Sequence, residues 1–506
     1  MAPSSSNASS TDKPRTNTSP FSLLPTELIV KVLKSTFHHP FLLSRHDRRH
    51  FLLMRQVCML WRNVAYDTPE LWRGLMIDWD DVSYLGAGLR PMQAVVDTLA
   101  RWYNRAGAHS LALSINLSFQ TPKMTLDLNY FISFIKTRKW TYLNFIDLPP
   151  ELLSDLITQW GVVTCPTRVL AINCETSRGN PYRTTPEGRF ELSPPLSDTF
   201  PNLVTLFLDY VQIPPFQHPS LTSLHLGPSS YLSDPQSFAA TISPASLPQL
   251  EELILGGFRK GFARDYLGIL DMRTVVHPSV RRVVVKGVEA AYALQWLELP
   301  ALDFLRIEAV SEASVGGSVK LVKVVQDLAG ILADLMSGPM SCQTLSLDDF
   351  GMESAENYST FFSKLKPGIQ RLHIEDYTIF GALDLSTSPA LKHLETIVCT
   401  DTLYSGGTLP NHIDDLVKWL SLRRVQPGEV EKRITIYEYP WDKGISQRAK
   451  ERMKPKYEGA AMLARQEGAD IVFVETAESI YDMVDYPLNS DRYHLPSAGD
   501  RNYHSR

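Results

Sequence analysis

Apolar side chains return every third or fourth position through the first part of the chain. Leu28, Val32 and Leu33 do so within residues 26–37, with Leu24 and Ile29 widening the stripe, so a helix is predicted there with one broad buried face. Pro25 and Glu27 suit its start, because proline's missing N–H is unpaired in a first turn and a carboxylate favours the positive end of the helix dipole. His38-His39-Pro40 ends it, since the residue before a proline is pushed out of the α region. A polar stretch around Arg45–His50 leads to a second predicted helix over residues 48–66, in which Phe51, Met54, Val57, Cys58, Trp61 and Val64 share a face. Thr68-Pro69-Glu70 then restarts a turn of helix carrying Leu71 and Trp72. Three short helices enclose a thin core, and a module this small completes it against another surface.

The period then changes. Met92–Tyr103 reads as one more helix, but Leu111–Leu117, Lys139–Phe145 and Arg168–Ile172 alternate as strands do, with a polar insertion at Thr176–Gly188. From Pro201 onward a motif recurs: a proline, a leucine two positions on, and two further leucines that begin a strand. It stands at Pro201 (Leu203, Leu206, Leu208), Pro219 (Leu221, Leu224, Leu226), Pro248 (Leu250, Leu253, Leu255) and Pro300 (Leu302, Leu305, Ile307). Weaker copies begin at Pro278, Pro367 and Pro389, and Cys342–Leu347 keeps only the strand. Most starts lie about 20–30 residues apart, as in repeat proteins whose stacked units bury a core that no single unit closes. Helix-like pieces such as Ser318–Leu335 lie between strands, so the predicted class is α/β. Arg433–Glu438 and Ile471–Glu475 are expected as closing strands around a helical stretch broken at Pro455. The expected division is a disordered leader over 1–20, a helical module over 21–75, the repeated region over 82–484 and a flexible tail over 485–506.

The run Leu24-Pro25-Thr26-Glu27-Leu28-Ile29, followed by Val57-Cys58-Met59-Leu60-Trp61-Arg62-Asn63-Val64-Ala65 and Thr68-Pro69-Glu70-Leu71-Trp72, resembles the F-box. It is similar to the form found in long fungal F-box proteins, with an inserted loop, here about Phe37–Arg49, between the first two helices. The strand motif resembles an irregular leucine-rich repeat, with Val211, Ser229 and Phe258 where that repeat usually has an asparagine. Together these resemblances imply an α/β fold: a small N-terminal three-helix F-box module followed by an irregular leucine-rich-repeat-like α/β solenoid. The F-box resemblance implies that Leu24, Pro25, Leu28, Ile29, Val57 and Trp61 dock a Skp-type adaptor, and through it a cullin-RING ubiquitin ligase of the SCF type. The chain would then be a non-catalytic substrate-recognition subunit. Its outward strand positions Phe207, His225, Ile254, Arg306, Ser346 and His373 are the candidates for touching a target protein. The alternative is a leucine-rich-repeat interaction scaffold unrelated to ubiquitin, with the helices acting only as an N-terminal cap.

Composition agrees with a protein-binding role. Of 506 residues, 44% are hydrophobic and 21% charged, an ordinary globular balance. The 50 Lys+Arg against 55 Asp+Glu give a net charge of -5, so no global basic field draws the chain to nucleic acid or to an anionic membrane. Residues 1–20, rich in Ser, Thr, Asn and Pro, lack the apolar core of a signal peptide, and no run reaches the roughly 18 apolar residues of a membrane span. The five cysteines are far apart without a C-x-x-C pair, so they are expected as reduced thiols of a cytoplasmic or nuclear protein. His46 and His50 share i,i+4 spacing but lack the interposed glutamate of H-E-x-x-H and sit in a basic run, so they are expected to be solvated. Asp78-Trp79-Asp80-Asp81 reads as an acidic loop. No phosphate-cradling or nucleophile-elbow motif occurs, and neither metal, cofactor nor catalytic residue is expected.

Overall fold

The computed structural model describes residues 24–35, 37, 42–78, 92–116, 128–148, 156, 166–174, 188–189, 195–209, 211–212, 214–227, 235–256, 274–287, 290–291, 293–308, 328, 330–332, 342–348, 355–365, 368–374, 380–381, 391, 393–399, 409–423, 434–438 and 447–473. The expected leader and tail, most of the Ser318–Leu335 segment, Trp79-Asp80-Asp81 and Cys165 lie outside these residues. The class is mixed α/β with a large parallel sheet, and the chain divides into two units, 1–143 and 144–506.

In the first unit, α1 (Thr26–Ser35), α2 (Arg45–Met54) and α3 (Met59–Tyr66) precede a 3-10 turn at Pro69–Trp72. The helix expected over 48–66 is in fact two. α2 begins earlier, because Ser44 and Asp47 form a capping box: Ser44 Oγ accepts from the Asp47 N–H while the Asp47 carboxylate accepts from the Ser44 N–H. It ends before Arg55, and the extended backbone of Cys58 (φ -159°, ψ 172°) interrupts the helical ladder before α3. The segment expected as an inserted loop also has structure. Leu42 and Leu43 are buried, and Leu43 bridges strand β1 (Gly74–Asp78), donating to Gly74 O and accepting from Met76 N–H.

β1 pairs in parallel with β2 (Leu111–Asn116), from Gly74 opposite Ala112 to Asp78 opposite Asn116. Helices α4 (Met92–Tyr103) and α5 (Leu128–Lys136) follow in chain order around β2. α5 was not anticipated, although Phe131, Ile132, Phe134 and Ile135, all buried, carry the helical period. Three large aromatics have their polar tips satisfied by backbone: Tyr103 OH donates to Ala112 O and Trp140 Nε1 to Ile135 O, both at 2.7 Å, and Trp72 Nε1 donates to Ala65 O, also at 2.7 Å. Phe51, Trp72 and Trp102 meet with ring centres 4.7–6.0 Å apart. Trp102 belongs to α4, so the core of the first three helices is completed by the segment after them. The division of the chain falls inside β3 (Trp140–Leu148), well beyond residue 75.

In the second unit, β4 (Val169–Cys174), β5 (Thr205–Asp209), β6 (Ser223–Leu226), β7 (Glu252–Leu255), β8 (Arg282–Lys286), β9 (Phe304–Glu308), β10 (Thr344–Asp348), β11 (Arg371–Ile374), β12 (Thr396–Cys399), β13 (Ile434–Glu438) and β14 (Ala469–Phe473) pair in parallel in strict chain order. Three of the strong motif copies start with one device. Phe200-Pro201-Asn202-Leu203, Leu247-Pro248-Gln249-Leu250 and Leu299-Pro300-Ala301-Leu302 are turns closed by an N–H of the fourth residue on the carbonyl of the first, with proline second, where its fixed φ suits the turn. The residue after the turn's last leucine offers one carbonyl to two N–H groups of the next strand. Val204 O accepts from Thr222 and Ser223, Thr222 O from Glu251 and Glu252, Glu251 O from Arg281 and Arg282, and the step repeats to Gln370 O. This shared acceptor holds strands β5 to β12 in register, so Leu206, Leu224, Leu253, Val283 and Leu305 align in one fully buried row.

The helix at Gln447–Gln466 runs through Pro455 instead of breaking there. Tyr457, Ala460, Ala461 and Ala464 are buried along it, which offsets the lost hydrogen bond of a mid-helix proline. Helices at Ala355–Lys364 and Leu409–Arg423 also escaped the sequence reading. Among the described residues no helix is long and apolar enough to cross a membrane.

Candidate protein-binding surfaces

The helical region of the first unit leaves large apolar side chains in solvent. Leu28 on α1 is 48% exposed and Val57, between α2 and α3, 50%. Pro25 is exposed and Leu24 half-buried. Ile29 and Trp61, assigned to the same docking set, are instead core residues, 0% and 6% exposed. On an amphipathic helix one position away turns the side chain by about 100°, so Leu28 and Ile29 cannot share a surface. The exposed set extends to residues not anticipated: Val32, Leu52, Leu53 and Met59, the last 65% exposed. Around Trp72 the polar setting is unusual. Arg55 lies over Tyr66 and Trp72, Arg105 over the same two rings, and burial lowers the Arg55 pKa from its ordinary value. Glu70 is held below the usual carboxylate range by its hydrogen bond with Lys34.

In the second unit the six candidates expected to face outward fall in one row across the sheet. Phe207, His225 and Ile254 are opposite one another in successive strands, and Arg306, Ser346 and His373 continue the same row after Val284. Phe207 and His225 meet edge to face, with ring centres 5.9 Å apart. Phe207, His225, Ile254 and Arg306 are half-buried. Ser346 and His373 are not available to a partner, being buried with Oγ and Nδ1 2.6 Å apart. The hydroxyl and the imidazole satisfy one another there, which lets the pair be buried at little cost.

One row closer to the strand starts lies a network that sequence reasoning missed. Glu252 accepts from Ser223 Oγ, its other oxygen is 2.9 Å from Arg282 Nε, and His225 Nε2 stands 3.7 Å from the carboxylate. The Arg282 guanidinium also lies 4.0 Å from the Phe304 ring centre. Ser, His and Glu here make no nucleophile relay, because Ser223 Oγ meets the carboxylate directly and the same imidazole nitrogen, Nε2, approaches both groups. Arg306 pairs with Glu308 at 2.7 Å and Lys286 with the same carboxylate at 3.3 Å. Glu252 and Arg282 hold the same position in successive copies of the motif, and register puts them side by side.

Among the described residues no cluster of three or more His, Cys, Asp or Glu could hold a metal ion. His46 and His50 are exposed on α2 with ring centres 4.0 Å apart. Cys342 is an inert thiol, pushed up to about 12 by burial, with Sγ donating to Thr344 O. No family model and no curated protein matches this chain. Its function is therefore argued from these surfaces.

Proposed function

We propose that the chain is a non-catalytic substrate-recognition subunit of an SCF-type ubiquitin ligase: α1–α3 act as an F-box that docks a Skp-type adaptor, and the second unit acts as a leucine-rich-repeat-like solenoid that holds a target protein. The observation that carries this reading is the exposure of Leu28, Val32, Leu52, Leu53, Val57 and Met59 on three short helices and the turn between the second and third. Large apolar side chains left in solvent at this density along a short stretch of chain mark an interaction site. Parallel strands in chain order, with β5 to β12 entered through the same shared-acceptor step, support the solenoid. The mechanism is tethering: a target lysine is held at high effective concentration near a ubiquitin-charged enzyme brought by other subunits.

The scaffold reading has its own support, since Leu43 is bridged to β1 and Trp102 packs on Trp72, as an N-terminal cap would need. A cap, however, does not call for apolar side chains turned to solvent. The deciding experiment is co-expression of the full chain with a Skp-type adaptor, followed by size-exclusion chromatography. A stoichiometric complex that Leu28→Asp with Val57→Asp abolishes, at an unchanged melting temperature, supports docking. Failure of the parent chain to form any complex overturns it.

A further inference from the structure

Arg55, Arg62 and Arg105 crowd one part of the first unit, and among the described residues none of the three has an acidic partner. The guanidinium carbon of Arg55 is 4.7 Å from the Tyr66 ring centre and 5.3 Å from that of Trp72. That of Arg105 is 5.2 Å and 4.5 Å from the same rings, which are stacked on each other. Two like charges thus share one pair of aromatic faces. Burial lowers the Arg55 pKa first, and the Arg105 and Arg62 charges lower it further. The donors are also under-used. Arg55 Nη2 donates to Tyr66 OH at 3.0 Å, but its Nε is buried with no acceptor. Arg62 reaches only Met59 Sδ, at 3.8 Å. Of the nearby acids, Glu70 is taken by Lys34 and Asp47 by Ser44, while exposed Asp67 pairs with no cation.

We propose that Arg55, Arg62 and Arg105 form a receiving site for the carboxylates of an acidic protein segment that lies across the exposed apolar side chains of α2 and α3. The proposal deepens the docking reading and rests on it. Charge complementarity selects the occupant, because three guanidinium groups without a counter-charge are best relieved by a group that brings one. A guanidinium held against a ring keeps its planar fork pre-organised, and a planar carboxylate meets that fork with two parallel hydrogen bonds. Arg55 and Arg62 alternate along the chain with exposed Leu53, Val57 and Met59, so a segment that mixes apolar anchors with Asp or Glu matches both. The chain as a whole is acidic, at -5, so no global field draws an acidic peptide to it and any such attraction is local.

The test is fluorescence anisotropy of the full chain with a labelled peptide of repeated Leu-Glu-Glu units, its Leu-Gln-Gln counterpart and a Leu-phosphoserine counterpart. The Glu peptide is expected to bind about tenfold more tightly than the Gln peptide, the scale of one charged hydrogen-bonded pair. Arg62→Gln with Arg105→Gln is expected to erase that difference; both side chains are exposed, and Arg62→Gln alone leaves the aromatic stack intact for the case in which the double variant fails to fold. Equal binding of the Glu and Gln peptides, an unaltered preference in the variants, or binding of the phosphoserine peptide alone overturns the inference. An adaptor complex lost on Leu28→Asp with Val57→Asp but with no carboxylate preference would leave the docking reading standing and remove only this one.

Discussion

His218 and His277 show how far a single residue type carries information here. Each precedes a Pro-Ser pair that opens a repeat, each is buried, and each places Nε2 against a backbone carbonyl at the start of the preceding unit: Phe200 O at 3.0 Å and Leu247 O at 3.1 Å. Ser220 and Ser279 then donate to the following proline carbonyls, Pro201 O and Pro248 O, both at 3.1 Å. Burial lowers both imidazole pKa values, with the carbonyl bond working the other way. A lowered folded-state pKa means the unfolded chain binds protons first as pH falls through about 6.5, so stability is full above that value and declines below it. The urea midpoint is therefore expected to be lower at about pH 5.5 than at about pH 7.5, and His218→Gln with His277→Gln should flatten that slope while keeping an N–H for each carbonyl. A slope that survives the double variant would assign the pH dependence to other groups. Gly227 makes a second residue-scale case. A Cβ there would stand 1.8 Å from Asp209 Oδ1 and 3.0 Å from Asp209 Cα, so the neighbouring strand cannot yield by a side-chain rotation alone. Gly227→Ala is expected to cost about 1–3 kcal/mol in a thermal or urea melt, and a neutral result would show that the strand ends give more easily than packing implies.

At the scale of elements, alternation was the most legible signal. Leu253 and Ile254 are adjacent, yet the first is buried in the leucine row and the second half-buried on the other face. Leu253→Ala is expected to cost about 2–5 kcal/mol and Ile254→Ala well under half of that, read from urea denaturation at one pH. Equal costs would mean the two faces are equally packed. The strands could be read because a period of two needs only four or five residues to show, and proline marked each entry. Helices were read less well. α5 and Leu409–Arg423 have apolar positions at helical spacing, Leu416, Trp419 and Leu420 in the second, but these stand outside the repeated motif that marks the strands. The break between α2 and α3 was illegible for a different reason: its apolar period runs on through Cys58, and only the backbone turn at 55–58 interrupts it. Of the candidate surfaces, the sheet row was found by alternation alone, whereas burial of Ser346 and His373 and the Glu252–Arg282 pairing depend on which strands become neighbours. Sequence spacing along one strand does not carry that information.

For the whole molecule, the question is where independent bodies begin and end. A boundary after residue 75 looked natural, because helical spacing stops there and strands take over. The first unit instead runs to residue 143, and its core crosses the expected boundary at several points. Trp72 is fully buried against Phe51 and Trp102, Leu43 is hydrogen-bonded across β1, and β2 receives its pairing partner from Gly74–Asp78. Trp72→Ala in the full chain is expected to cost about 3–5 kcal/mol, and the loss should appear in the melt of the first unit if the two units unfold separately. Removing residues 1–75 goes further: it strips Trp102 of its aromatic neighbours Phe51 and Trp72 and takes Gly74 and Leu75 from β1, so that part of the β2 edge is bared and the shortened chain is expected to aggregate in light scattering. That outcome follows whether the helices dock an adaptor or only cap a scaffold, because both readings share the same core. A truncated chain that stays monomeric with an unchanged melt would show that the helices are a separate module after all. Function must therefore be tested on the surface, at Leu28, Val57 and Arg62, where a substitution changes what a partner meets without changing what holds the unit together.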